Sequence, residues 1–299
     1  MIEAARVSKQ FHEIEALHDV SLSVHKGSIY GLVGSNGAGK TTLLKLLAGI
    51  YQPDSGQLMI DSESVFENNA IKARTAFIPD NLYFFPNYTI QDMANFYGLI
   101  YPKWNKERYL KLQDVFNIDV KRRVKTLSKG MQRQYALWMG LAMMPDVMIL
   151  DEPIDGLDPV MRHKVKNLII QDVADRDMTA IISSHNLRDL EDICDYIGIL
   201  HQGKMLIQKD LDDLKADVHK IQVAFAGEIP PTLLQDIQAL HQEQRGSVLI
   251  LIVRGAHNEI IRRMQSYHPA ILDILPLTLE EIFIHEMGDN GYEIKNVLY

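Results

Sequence analysis

At 299 residues and 46% hydrophobic content, the chain is long enough for one large core and a smaller second one. Its formal net charge of −8, with ten acids against six bases in residues 218–299, leaves no clustered Lys and Arg footprint for a phosphate backbone, so nucleic acid is not an expected partner. The longest apolar stretch, residues 135–144, is broken at Pro145-Asp146 well short of the roughly 20 residues of a bilayer span, the N-terminal residues lack the tripartite pattern of a secretory signal, and the single Cys194, which excludes an intrachain disulfide, reads as a small buried hydrophobe suited to a reducing cytoplasm.

The apolar run 29–33 predicts a strand and residues 42–48 predict a helix. Between them Gly34, Ser35, Asn36, Gly37, Ala38, Gly39, Lys40 and Thr41 fit the pattern G-x-x-x-x-G-K-[ST] at all four specified positions. Glycines at 34, 37 and 39 let the backbone curl so that successive N–H groups and the helix start at Thr42 face phosphates. Lys40 then supplies a point charge to the β and γ groups, and the Thr41 hydroxyl is placed to ligate Mg²⁺. A nucleoside triphosphate is the expected ligand.

Further short apolar runs at 75–78, 147–150, 180–183 and 197–200 suit strands buried on both faces, as in a parallel sheet covered by helices. This predicts an α/β fold, a P-loop NTPase core with a mainly parallel sheet. Between Pro86 and Pro145 the strand signal disappears and residues 90–100, 106–116 and 130–144 read as helix, a helical insertion over about 84–145. The run 147–150 ends in Asp151 and Glu152, whose side chains point to opposite faces of a strand and so have separate tasks. Asp151 can hold Mg²⁺ while Glu152 orients or deprotonates an attacking water. After residue 216 the pattern changes to strand 221–225, helix 231–241, strand 248–253, helix 258–266 and strand 271–275. A helix then opens at Thr278, where Glu281 completes a capping box. Residues 217–299 therefore read as a small α+β accessory domain behind a nucleotide-binding domain at 1–216.

These residues together resemble the nucleotide-binding subunit of ATP-binding cassette (ABC) transporters. Leu127-Ser-Lys-Gly-Met131 resembles the family's LSGGQ signature and lies roughly twenty residues before the Asp151 strand; Asp155-Gly-Leu-Asp158 resembles the D-loop, and His185 the switch histidine. Phe11 stands where the family has an aromatic that stacks on adenine. The resemblance implies that two such domains stack head to tail, with ATP on one phosphate loop meeting Ser128 and Gly130 of the other subunit. It also implies that Asp158 belongs to the nucleotide-binding set, that His185 touches the γ-phosphate and that Glu152 is the base, with ATP hydrolysed to ADP and phosphate. The implied partners are an integral-membrane permease and a second ATPase subunit, placing the chain peripherally on the cytoplasmic face of the membrane, with residues 217–299 supporting the dimer. A soluble cassette ATPase acting on ribosomes or nucleic acid is the alternative. In the family such domains grip the permease at the helical insertion, where Phe84, Phe85, Tyr88, Phe96 and Tyr97 concentrate aromatics.

Three positions depart from the pattern. Asp80 stands where the family has a Gln, with a shorter, anionic reach toward a metal or water; Lys129 replaces a signature Gly, and Met131 replaces the signature Gln. The signature substitutions resemble a divergent branch of bacterial export-type ATPases, the YtrB-like group.

Overall fold

The computed structural model describes residues 1–237 and 239–282, in two compact units, Met1–Gln208 and a second beginning at Lys209. The first unit starts with β1 (Ile2–Phe11), β2 (Ile14–Val24), β3 (Ile29–Val33), α1 (Lys40–Leu47), β4 (Ser55–Ile60), β5 (Glu63–Ser64), α2 (Asn69–Ala73) and β6 (Thr75–Ile78). Three helices follow, α3 (Ile90–Ile100), α4 (Lys106–Phe116) and α5 (Lys129–Ala142). The chain then returns through β7 (Val147–Asp151), α6 (Pro159–Arg176), β8 (Thr179–Ser184), α7 (Leu187–Leu190), β9 (Tyr196–His201) and β10 (Lys204–Asp210).

The five apolar runs expected as strands are β3, β6, β7, β8 and β9, and they pair in parallel within a sheet of order β10-β9-β3-β8-β7-β6. Parallel neighbours require crossovers, which the intervening helices supply. A second, antiparallel sheet of order β2-β1-β4-β5 has no counterpart in the sequence reading. Its strands are half-exposed, and register shifts between Ala4 and Val7, with Arg6 and Asp19 at positive φ, break the alternation that would mark them. One core cluster runs from Ile2, Val7 and Val20 through Leu43, Leu44, Leu46 and Leu47 of α1 to Val147, Ile149 and Ile181, so α1 is the filling between the two sheets. Burying each such leucine stabilises the unit by about 1.5–3 kcal/mol, which holds the start of α1 rigidly beside the end of β3.

The three insertion helices carry their own caps. The Thr89 and Asp92 side chains each accept from the other's backbone N–H at α3, Asn105 caps α4, and Ser128 caps α5 by accepting from the Met131 N–H. Helices α4 and α5 meet where Trp138 stacks on Tyr109 at 4.8 Å and donates its indole N–H to the Tyr109 carbonyl at 2.8 Å. Arg108 of α4 reaches the buried Asp172 of α6 at 2.5 Å, tying the insertion to the parallel-sheet core.

The second unit contains α8 (Leu211–Asp217), β11 (Val218–Ala224), α9 (Leu233–Asp236), β12 (Ala239–Arg245), β13 (Val248–Arg254), α10 (His257–Ser266) and β14 (Ile271–Leu275). From β11 to β14 the order β-α-β-β-α-β, with an antiparallel sheet β12-β13-β11-β14, is the split βαβ arrangement of ferredoxin-like domains. Its core joins Ile221, Val223, Leu249 and Leu251 to Ile260 and Met264 of α10. The helix expected over 231–241 is corrected: only Leu233–Asp236 is helical, and 239–245 form an edge strand on β13. His241-Gln-Glu-Gln-Arg245 shows no apolar alternation because its side chains are exposed, and pairing with β13 outweighs the helical preference of Gln and Glu. The capping box at Thr278 forms, with reciprocal bonds of 3.0 and 3.3 Å to Glu281, and residues 279–282 are helical. Residues 283–287 of the expected helix lie outside the described residues.

Candidate nucleotide site

The loop from Gly34 to Gly39 joins β3 to α1 and borders a cavity of about 380 Å³, lined by Ser35 to Thr42 and by Ile14, Glu15, Ala16, Asp80, Glu152, Gln202 and Gly203. Gly39, at φ 105°, precedes α1 without a side-chain cap, so the first N–H groups of that helix have no side-chain acceptor and are left for an anion at the cavity. A Cβ on Gly34 would sit 2.3 Å from the Leu200 carbonyl, so the loop is pressed against the end of β9 and tolerates no side chain there. A brace completes the loop: the Gly203 N–H donates to the Ala38 carbonyl at 3.0 Å from the tight turn Gln202-Gly203.

Lys40 is buried and folds back, donating to the Gly34 carbonyl at 2.6 Å, with its Nζ 3.3 Å from Glu152 Oε1. The Thr41 hydroxyl donates to Asp151 Oδ2 at 2.7 Å, and Ser183 Oγ donates to Asp151 Oδ1 at 2.7 Å while accepting the Glu152 N–H at 3.0 Å. The two acids therefore separate as strand geometry requires. Asp151 faces α1 and Glu152 faces the cavity, its backbone turned to φ 49°. Glu152 Oε2 meets His185 Nδ1 at 3.0 Å and accepts weakly from the His185 N–H at 3.4 Å. Lys40, Thr41, Asp151, Glu152 and His185, drawn from three separate chain segments, thus form one cluster.

Other predicted residues fall elsewhere. The Asp80 carboxylate lines the cavity but is bound by Arg133 of α5 at 2.7 Å. Ser128 caps α5, a Cβ on Gly130 would lie 3.0 Å from the Gly156 carbonyl, and Asp158 caps α6 by accepting from the Met161 N–H at 3.0 Å, with Pro159 in its first turn. None of these three lines the cavity of its own chain. Phe11 is not among the lining residues either: its ring packs edge-on against Tyr51 at 5.3 Å, while Ile14, 72% exposed, borders the cavity. Ser183, Glu15, Gln202 and Gly203 have no marker in the sequence, because each is placed through backbone or neighbour geometry rather than through a motif.

The donor set suits a triphosphate and a hard cation. A buried ammonium and uncapped helix N–H groups meet anionic oxygens, and a threonine hydroxyl paired with one carboxylate oxygen is what Mg²⁺ uses when it keeps most of its water and takes phosphate oxygens.

Comparison with known proteins agrees with this chemistry. The sequence profile described as "ABC transporter" matches residues 17–155. The chain is 34% identical over 289 residues to the ABC transporter ATP-binding protein YtrB of Bacillus subtilis (strain 168), covering 96% of this chain and 98% of that one. It is 32% identical to the bacitracin transport ATP-binding protein BcrA of Bacillus licheniformis, over 72% of this chain and 71% of the relative. Among solved structures, an ATP-binding subunit of an ABC transporter superposes with a TM-score of 0.67 at 25% identity, over 72% of this chain and 92% of its own. The dimeric cassette MJ0796, bound to ADP and Pi, shares the fold with a TM-score of 0.64 at 20% identity, over 71% of this chain and 99% of its own. Among the described residues no helix is long and apolar enough to cross a membrane. The chain belongs to the ABC transporter family, as an ATP-binding subunit that hydrolyses ATP.

Proposed function

We propose that the chain powers a separate membrane permease by closing head to tail on a second ATPase subunit around two ATP molecules. The observation that carries this reading is the Glu152 carboxylate, set between Lys40 at 3.3 Å and His185 at 3.0 Å on the wall of the phosphate-loop cavity. Glu152 and Lys40 form an ion pair at 3.3 Å. Phosphate drawing Lys40 away frees the carboxylate to take a proton from water, with the His185 side chain aligning it. Thr41 and Asp151 hold the cation, and Asp80 is assigned to Arg133 instead. When bound there, Mg²⁺ neutralises charge on the phosphates.

Ser128, Gly130 and Asp158 lie outside the chain's own cavity, which supports their acting on the nucleotide of the partner subunit. The start of α5 then aims its backbone N–H groups at the γ-phosphate across the interface. Ile14, which borders the cavity, is assigned to the adenine end, with Phe11 paired to it in the β1–β2 hairpin. Tyr83 and Leu99 stand 85% and 87% exposed on the helical insertion, with Phe85 and Tyr88 partly exposed beside Tyr83 in sequence. Exposed aromatics there fit a permease segment, since such side chains concentrate binding energy. On this reading the chain works at the cytoplasmic face of the membrane. Residues 217–299 are assigned to dimer support.

Glu152→Gln tests the reading. It is expected to bind ATP, turn over at least about 100-fold more slowly, and run as a dimer by light scattering only with ATP. Captured from detergent-solubilised membranes in that state, it should bring a multi-span protein with it. A strictly monomeric variant refutes the shared site, and capture of ribosomal or nucleic-acid-bound proteins instead moves the chain to the soluble class.

A further inference from the structure

Arg133 lies in the second turn of α5, the helix whose cap is Ser128 of the signature. Its side chain is only 12% exposed, and its guanidinium holds three oxygens from two distant segments. Nη1 donates to the Glu152 carbonyl. Nη2 donates to Asp80 Oδ1 at 2.7 Å and to the Asp80 carbonyl at 3.2 Å. A planar fork with donors on separate nitrogens can bridge such a set; an ammonium cannot.

Glu152 depends on support of this kind. At φ 49° it holds a left-handed conformation that a non-glycine residue keeps only when its surroundings over-determine it. Its N–H is fixed by Ser183 Oγ, and its carbonyl by Arg133. With both ends of the residue pinned, the side chain is directed between Lys40 and His185. Asp80 supplies the negative charge that a nearly buried guanidinium requires, which a neutral Gln at the same position would not. The departure at residue 80 and the arginine at 133 are thus two halves of one contact.

We propose that Arg133 is a positioning residue that transmits the placement of the signature helix to Glu152, with Asp80 as its counter-charge. The proposal rests on Glu152 being the base. When α5 moves relative to the end of β7, the arginine moves the Glu152 carbonyl with it, so hydrolysis responds to where the signature helix sits. Arg133 touches neither phosphate nor water in this role.

The test compares Arg133→Gln, Arg133→Lys, Asp80→Asn and the Asp80→Asn/Arg133→Gln double variant in the full chain, by ATP turnover, affinity for a fluorescent ATP analogue and thermal midpoint. Arg133→Gln is expected to lower kcat about 10- to 100-fold, as a displacement near 1 Å does, with analogue affinity changed less than about twofold. Arg133→Lys keeps the charge and the fold yet loses turnover in the same direction. Asp80→Asn loses less, and the double variant is no slower than Arg133→Gln alone, because both changes break one contact. Unchanged kcat in Arg133→Gln, a loss confined to affinity, or losses that multiply in the double variant would overturn the proposal. Should Arg133→Gln fail to fold, full turnover in both Arg133→Lys and Asp80→Asn overturns it equally. Wild-type rates in Glu152→Gln would instead sink the assignment of the base.

Discussion

Asp172 is a carboxylate with 5% of its side chain exposed, shared by two arginines: Arg108 of α4 at 2.5 Å and Arg176 of its own helix at 3.0 Å. Replacing it with Ala leaves two guanidiniums, 21% and 18% exposed, facing each other with no anion between them. Arg176 still donates to the Pro145 carbonyl at 2.6 Å, so the larger loss falls on Arg108 and on the attachment of the helical insertion. Removing one partner of a buried ion pair costs about 3–5 kcal/mol. For a unit of this size, each kcal/mol shifts the midpoint by about 2–4 °C, so Asp172→Ala is expected to melt about 6–20 °C lower. Intrinsic fluorescence reads this unit selectively, since the chain's two tryptophans, Trp104 and Trp138, both lie in the insertion. Asp172→Asn, which keeps an acceptor and loses the charge, should fall between, and Arg108→Met should cost less than Asp172→Ala because the remaining Asp172–Arg176 pair is still neutral. A midpoint shift below about 3 °C for Asp172→Ala, equivalent to roughly 1 kcal/mol, would refute the view that this triad anchors the insertion.

Lys40→Met should weaken ATP binding about 10- to 150-fold, the worth of one charge-assisted contact of about 1.5–3 kcal/mol, in equilibrium titration; unchanged affinity would remove Lys40 from the site. Gly34→Ala forces a Cβ against the Leu200 carbonyl, so both ATP affinity and folding stability should fall, the latter by about 1–3 kcal/mol of overpacking; a variant that melts and binds as wild type would show that the loop does not sit this tightly on β9. Burial, reinforced by the Asp195 carboxylate, pushes the Cys194 thiol well above its ordinary value, so it stays protonated at neutral and mildly alkaline pH. The native protein should resist a disulfide-exchange reagent at about pH 8 and titrate one thiol after unfolding; rapid stoichiometric labelling of the native form would contradict the burial.

Much of the first unit is legible in the sequence because its information is local. The phosphate loop must carry glycines where backbone meets backbone, a lysine and a threonine, and the parallel strands must be apolar along their whole length because both faces are covered. Asp151 and Glu152 follow from the same logic, since adjacent residues at a strand end cannot face the same way. The capping box at Thr278 was readable for the same reason, its two partners being three residues apart.

What needed the tertiary structure depends on which distant segments meet. The antiparallel strands β1, β2 and β4 are half-exposed and bulged, so their pairing partner, not their pattern, decides them. Strand β12 is polar from His241 to Arg245 and becomes a strand only because β13 offers an open edge. Ser183, which joins Asp151 to Glu152, is an ordinary strand residue until β7 and β8 lie side by side. The departure at Asp80 had no explanation in sequence, where Arg133 lies 53 positions away; only the fold brings the carboxylate to the guanidinium. The chemistry of the loop and of the strand that faces it is written between neighbours in the chain, whereas the supports that hold Glu152 come from long-range packing, which no local pattern encodes.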